Sequence, residues 1–416
     1  MIQYLSKQNP EIFRNKKVLV RLDLNVPITD GNVLATDASR IHASLPTLRF
    51  LQDAGARITI ISHIGRKSEE SLEPVVEYIK EIMKNTEIEY HPGLTTTPPK
   101  QEGISANLLL PRRGAEVRGG VVYILENLRS HPGEELNDPT FAASLCQGQD
   151  YYVNDAFAVS HRAHASVVGV PSIMGQQRCF AGLQLEHEIE FLNRALSPQS
   201  PSLLIMGGAK FETKLPVINT LLPLVDHVLI GGALLNNFLK SSGMEIGDSL
   251  IDPDAHIEHL IGNPKIILPD KVIISSPQTH PLPPLVEGAA PQYPNEQQSL
   301  LSVGERQNVG IGAKILDVSP EYFNNPEIIE IIKNAQTIIW NGPMGYYERG
   351  FTQGTAALVK LLSGSSATKV IGGGDSVALI EQLHLTDKFD FLSTGGGAML
   401  EYLGNNGSLP GIDVLL

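Results

Sequence analysis

The sequence predicts an α/β protein with two mainly parallel sheets, and three observations carry that expectation. Short apolar runs bounded by Gly, Asp and Asn alternate with helix-period segments. The chain has 416 residues and 45.1 kDa, more than one hydrophobic core usually holds. A Pro- and Ser-rich break follows a helical stretch near its middle. In the first half, residues 18–22, 57–61, 121–125 and 151–153 read as buried strands. In the second half, 202–206, 227–230, 265–268, 337–340 and 369–371 do so. Between them, 39–54, 72–84, 216–224, 233–240 and 355–362 carry helical patterns. Such alternation is the signature of βαβ units. Residues 181–195 place leucines and acidic residues at helical spacing and run into Ser197-Pro198-Gln199-Ser200-Pro201. Proline stops a helix, so one helix near residue 182 is expected to link the two halves. Residues 281–304, rich in Pro, Gln and Gly, read as a surface excursion.

Composition excludes several classes. Hydrophobic residues make up 42% and charged residues 19%, unlike a disordered chain. Lys and Arg total 32 against 45 Asp and Glu, so the formal charge is −13 and nucleic acid is not the expected partner. Cys146 and Cys179 are too few for a disulfide framework or a four-cysteine metal site, and they fit a reducing compartment. The N-terminus has no apolar run of the signal-peptide kind, and no segment offers the roughly 20 apolar residues of a membrane helix. A soluble cytoplasmic protein is expected. Residues 1–182 hold 19 Lys/Arg and 20 Asp/Glu, whereas 183–416 hold 13 and 25. The nearly neutral first half could attract a small anion, or the asymmetry is ordinary surface variation.

The second half has glycine signals after its strand-like runs: Gly207-Gly208-Ala209-Lys210, Gly231-Gly232, Asn341-Gly342-Pro343-Met344-Gly345, Gly372-Gly373-Gly374-Asp375-Ser376 and Gly395-Gly396-Gly397. Each alone is a tight turn. Several at the carboxyl ends of parallel strands point to a ligand, because helix N-termini there offer free N–H groups to phosphate. Neither GxxxxGK[ST] nor a clear GxGxxG occurs, so a nucleotide would need another loop solution. Lys210 and Lys214 are four apart, and a helix starting at Gly208 would set both on one face, to hold phosphates or to stand in solvent. Asp375 could cap a helix or meet Mg²⁺ through a nucleotide.

The first half has another chemistry. Arg21, Asp23 and Asn25 alternate at a strand end and share one side. Ser62-His63-Ile64-Gly65-Arg66, Leu125-Glu126-Asn127-Leu128-Arg129, Asn154-Asp155-Ala156-Phe157 and His161-Arg162-Ala163-His164 follow other strand runs, and Arg40 opens a helix. Arginines and histidines at these positions suggest a basic basket for a small phosphorylated or carboxylated substrate. The three histidines could instead ligate a metal, but neighbouring arginines would repel a cation. No GxSxG elbow supports a hydrolase, and no dinucleotide fingerprint supports a dehydrogenase.

From about residue 14 to its end the chain resembles the phosphoglycerate kinase family. The resemblance rests on RLDLNVP (21–27), SHIGR (62–66), LENLR (125–129), NDAF (154–157) and HRAHAS (161–166), with GGAK (207–210), WNGPMG (340–345), GGGDS (372–376) and STGGGA (393–398). It implies two Rossmann-like domains, with mainly parallel sheets flanked by helices, joined by a hinge helix. Residues 1–182, with 404–416 packing back, would bind 3-phosphoglycerate or 1,3-bisphosphoglycerate, and 183–403 would bind ADP or ATP with Mg²⁺. Asp23, Asn25, Arg40, His63, Arg66, Arg129 and Arg162 match the family's substrate residues. Gly208, Lys210, Lys214, Gly232, Asn341, Glu348, Gly373, Gly374, Asp375 and Ser376 match its nucleotide residues, and Asp375 the metal contact. Arg40, Lys210, Gly373 and Gly374 would meet the phosphoryl group in transit. The family also implies a monomeric glycolytic enzyme that flexes about 181–200. Three places depart from its pattern: Ser319 replaces glycine in Asp317-Val318-Ser319-Pro320, Lys67 replaces proline, and Asp270-Lys271 is atypical.

Overall fold

The computed structural model describes residues 1–92, 121–275, 298–302 and 309–416. They form two compact units, Met1–Glu190 with Ser408–Leu416, and Phe191–Gly407. The first unit contains β1 (Lys17–Leu22), α1 (Ser39–Asp53), β2 (Arg57–Ile61), α2 (Glu73–Ile82), β3 (Glu87–His91), β4 (Val121–Leu125), α3 (Pro139–Cys146), β5 (Tyr151–Asp155), α4 (Val170–Met174) and β6 (Cys179–Ala181). Its sheet has the order β3-β4-β2-β1-β5-β6, with every pairing parallel. In β1 every residue after Lys17 is buried, as a strand covered on both faces requires. The charged edge strand β3, Glu-Ile-Glu-Tyr-His, has no buried residue.

α5 (Leu183–Leu196) runs through the division between the units. Its start is fixed by Asp155 at the end of β5, which accepts from the N–H groups of Gln184 at 2.8 Å and Leu185 at 3.0 Å. Burial pushes that carboxyl up to about 7. The second unit contains β7 (Ser202–Met206), α6 (Phe211–Leu221), β8 (His227–Ile230), α7 (Gly232–Ser241), β9 (Ile266–Ile267), β10 (Lys271–Ser275), β11 (Gln298–Ser302), β12 (Ile315–Val318), α8 (Pro326–Asn334), β13 (Thr337–Asn341), α9 (Gln353–Ser363), β14 (Thr368–Gly372), α10 (Gly374–Gln382), β15 (Phe391–Leu392) and α11 (Gly396–Gly404). Its main sheet has the order β15-β14-β13-β7-β8-β9, again all parallel. β10 pairs antiparallel with β11 and β12 in a separate three-stranded sheet.

Two local expectations change. The helix expected over 216–224 starts at Phe211 and carries Pro216 inside, so Lys210 takes the extended N-cap position and no helix begins at Gly208. Of the expected surface excursion, 298–302 is the strand β11, whereas 281–297 and 303–304 lie outside the described residues. The chain end returns to the first unit through α12 (Pro410–Asp413). There Gly411 N donates to Ser160 O at 2.8 Å and Asn154 Nδ2 to Gly411 O at 3.2 Å.

Phe13, fully buried, anchors the first unit's core edge-to-face against Phe50, Tyr151 and Phe180, with ring centroids 6.3, 5.4 and 5.3 Å away. Truncation there empties an aromatic-sized volume. Phe13→Ala is expected to cost about 3–5 kcal/mol, read as a lowered urea midpoint by circular dichroism. A midpoint equal to the parent's would show that the cluster collapses without cost.

Candidate functional site

In each parallel sheet the strand order reverses beside the first strand, at β1/β5 and at β7/β13. Crossovers diverge there, and ligands bind beyond the carboxyl ends of such strands. In the first unit Arg21, second to last in β1, lies wholly inside. Its Nε donates to Ser166 Oγ at 2.9 Å, its Nη1 to Leu22 O, and its Nη2 to His63 Nδ1 at 3.0 Å. Asp23 pairs with Arg40 at 3.2 Å, and Arg40 also donates to Asn25 O at 3.1 Å. Asn25 Oδ1 accepts from Gly65 N at 2.8 Å, tying the loop after β1 to the loop after β2. Asn127 bonds Ile64 N and O and Glu70 O, and Arg129 reaches Gly65 O and Glu135.

These loops gather the expected groups. His63 is buried, and its ring is held well below the usual imidazole range, first by burial and then by Arg21, Arg129, His164 and Arg40. His164 is lowered to about 4 by burial and then by Arg21, Arg162, Arg129 and His161. His161 also falls to about 4, from burial and then Arg162. Arg40, Arg129, Arg162, His63 and His164 thus share one field, whose positive charge is carried by arginines while the imidazoles stay neutral. Arg66 is not among the charges acting on these groups; it stands exposed, its backbone N–H held by Glu70 at 2.6 Å. Sequence reasoning missed Glu134, a buried carboxylate that accepts from Ser166 Oγ at 2.6 Å and Ser166 N at 2.9 Å. The carboxylate pair Glu134-Glu135, just after LENLR, was its available signal.

In the second unit the loops after β7, β8 and β13 interlock through backbone. Gly207 N donates to Asn341 O at 2.9 Å, Gly208 N to Pro343 O at 2.8 Å and Gly232 N to Met344 O at 2.9 Å. Gly232 has φ +59°, and a Cβ there would stand 2.3 Å from Gly208 N, so this junction requires glycine. Gly373, at φ +95°, is the N-cap of α10, leaving Asp375 in the first turn without a capping bond. A Cβ on Gly374 would meet nothing within 4 Å, so that helix start faces open space. The Asn341 side chain, buried, lies beside Gly372 and Gly373, and its Nδ2 has no hydrogen-bond partner among the described residues; nor has Ser376 Oγ.

Charge concentrates at the same place. Lys214 is buried, with its ammonium pushed down to about 8 by burial and then by Lys210, and raised by Asp375. Asp375 is raised by burial and by Glu348, and lowered by Lys214 and Lys210. The two lysines therefore converge although no helix face unites them. Ser319, where the resemblance expected glycine, has φ −63° and accepts from Glu321 N at 3.2 Å, so it caps the following turn without strain.

One unit with an arginine basin and another with lysines facing a glycine-opened helix start together define an enzyme of phosphorylated ligands. A family model described as phosphoglycerate kinase matches residues 9–406. The phosphoglycerate kinase of Rubrobacter xylanophilus is 38% identical over 413 residues, covering 97% of this chain and 96% of the relative. That of Roseiflexus castenholzii is 38% identical, covering 96% of each. The solved phosphoglycerate kinase of Coxiella burnetii superposes with a TM-score of 0.79 at 30% identity, over 100% of this chain and 99% of that one. The chain belongs to the phosphoglycerate kinase family. It is a phosphotransferase with a carboxyl group as acceptor, exchanging a phosphoryl group between 1,3-bisphosphoglycerate and ADP in glycolysis.

The buried Lys214 charge bears on stability. Its folded pKa, about 8, lies below the unfolded lysine value, so the folded state binds the proton less readily. The cost is full below pH 8, shrinks as pH rises through the interval, and is gone above the unfolded value. Lys214→Met should therefore stabilise the ligand-free protein at pH 7 by up to about 3 kcal/mol. The gain should vanish near pH 10–11, as urea melts at both pH values would show. A destabilised variant at pH 7 would contradict the burial penalty.

Proposed function

We propose that the unit Met1–Glu190 with Ser408–Leu416 holds 3-phosphoglycerate or 1,3-bisphosphoglycerate, and that Phe191–Gly407 holds the nucleotide. The observation that carries the reading is the convergence of arginine charge on the buried, neutral His63. Arg40, Arg66, Arg129 and Arg162 supply charge for the substrate's anionic groups, while Asp23 and Asn25 set Arg40 and the loop at Gly65. Lys210 and Lys214 meet the nucleotide phosphates, with Gly208, Gly232, Asn341, Glu348, Gly373, Gly374 and Ser376 around them.

Transfer is direct. An oxygen of the ADP β-phosphate attacks the acyl phosphorus; the new P–O bond forms as the P–O bond to the acyl oxygen breaks, and the pair of electrons leaves with the carboxylate. The attacking oxygen carries no proton to remove, so no general base is needed, and catalysis reduces to alignment and charge neutralisation. Arg40 and Lys210 neutralise the oxygens in transit, and the N–H groups after Gly373 and Gly374 add donors. Asp375 suits Mg²⁺ shared with nucleotide phosphates, since such sites use one or two carboxylates plus phosphate oxygens, and no cluster of three His, Cys, Asp or Glu among the described residues offers a protein-only cage. Bound there, the ion would offset phosphate charge. The reading extends to a monomeric, cytoplasmic enzyme, as family members are usually monomers and the unpaired thiols suit a reducing compartment.

Arg40→Ala should lower kcat about 10²–10³-fold with ADP affinity intact, by coupled assay and calorimetry. A rate near the parent's would remove Arg40 from the chemistry. Asp375→Asn should keep its thermal midpoint, because Gly373 is the N-cap, yet lose most activity and need more Mg²⁺. An unaltered activity curve against free Mg²⁺ would show that the metal contact lies elsewhere.

A further inference from the structure

Glu134 is a buried carboxylate that phosphoryl transfer does not use. It is 1% exposed, at the start of a chain of bonds that ends on His63. Both carboxylate oxygens are taken by Ser166, Oε1 by the hydroxyl at 2.6 Å and Oε2 by the backbone N–H at 2.9 Å. Since the Ser166 hydroxyl gives its proton to Glu134, its lone pairs face Arg21, and Arg21 Nε donates to it at 2.9 Å. The Ser166 backbone is held from the other side by Tyr152, whose hydroxyl donates to Ser166 O at 2.7 Å. Arg21 Nη1 is committed to Leu22 O, so Nη2 is aimed at His63 Nδ1, 3.0 Å away. A guanidinium has donors and no acceptor. His63 Nδ1 must therefore accept, and the ring proton resides on Nε2. Among the described residues the His63 ring hydrogen-bonds through Nδ1, to Arg21 Nη2.

We propose that Glu134 and Ser166 are positioning residues that, through Arg21, lock His63 as a neutral Nε2–H donor toward the substrate anion. The proposal rests on the reading of His63 as a substrate-binding residue. Glu134 supplies the counter-charge that lets Arg21 remain inside, and Ser166 carries its orientation to the guanidinium. Without that orientation Arg21 Nη2 can swing off Nδ1, and the imidazole is free to take the other tautomer, which turns an acceptor toward the anion. Affinity for 3-phosphoglycerate then falls while nucleotide affinity does not.

The test combines spectroscopy of the ligand-free protein with kinetics of the full chain. Two-bond proton–nitrogen correlation spectra at pH 7, with His63→Gln assigning the signal, should show His63 neutral and protonated at Nε2. Ser166→Ala should populate the Nδ1–H form and raise the KM for 3-phosphoglycerate about tenfold, with the KM for ATP unchanged. Glu134→Gln should do the same if it folds, and Ser166→Thr, which restores the hydroxyl, should recover both readouts. An Nδ1–H or imidazolium signal in the parent overturns the lock, as does a Ser166→Ala variant with the parent's tautomer and KM. An Nε2–H signal in the parent, with an unaltered 3-phosphoglycerate KM in His63→Ala, overturns the substrate role and leaves the lock standing.

Discussion

Parallel pairing is the constraint on which both units depend. A parallel strand is reached by a crossover that covers a face of the sheet, so β1 and β7 are buried on both sides. Once strands are added on both sides of the first strand, consecutive crossovers part at its carboxyl end. The crevice is a product of connectivity and exists before any side chain fills it. What differs between the units is the filling. Beyond β1 and β5 the loops carry arginine and histidine side chains; beyond β7 and β13 they bring backbone close to backbone, with glycines at the junctions.

The two fillings handle charge differently. Guanidinium groups keep their proton at any accessible pH, so the first unit's basin is positive even where Arg21 is wholly buried. Its histidines, with His161 and His164 lowered to about 4, contribute hydrogen bonds and no charge near neutrality. Lysine yields more readily. Lys214, pressed by burial and by Lys210, titrates near 8, and the ligand-free protein carries the strain of two ammonium groups held together. A buried ammonium destabilises the ligand-free fold, a cost often met at functional sites.

Much of this was legible from residues alone, for identifiable reasons. Strands buried on both faces leave continuous apolar runs, so 57–61, 121–125, 202–206 and 227–230 were placed to the residue. β3 escaped because an exposed edge strand of alternating charge lacks that pattern. β11 escaped because it is an antiparallel strand within a stretch that composition marks as loop. The α6 boundary was misjudged because Pro216 reads as a helix start, whereas the helix tolerates it one turn in. Residue types named the arginines and lysines; the resemblance assigned their roles. No sequence feature revealed that Lys214 is buried, and the Glu134-Glu135 pair did not reveal which carboxylate lies inside, because burial of a charged side chain depends on packing partners distant in the chain.

Arg21 shows why a signature motif need not consist of contact residues. It heads the segment 21–27, and alternation with Asp23 and Asn25 suggested that it faces a ligand. Inside the first unit it has no exposure, and its donors are used by Ser166, Leu22, Ser62 and His63. A guanidinium buried this deeply is costly unless each donor is matched and a counter-charge is near. Those matches come from three separate stretches, the end of β1, the loop after β2 and the turn at 165–169. Glu134 adds a fourth through Ser166. Because satisfying one buried cation fixes four segments at once, the neighbouring groups, half-buried Arg129 and exposed Arg162 among them, rest on a fixed frame. The motif therefore codes for the rigidity of the basin as much as for its charge.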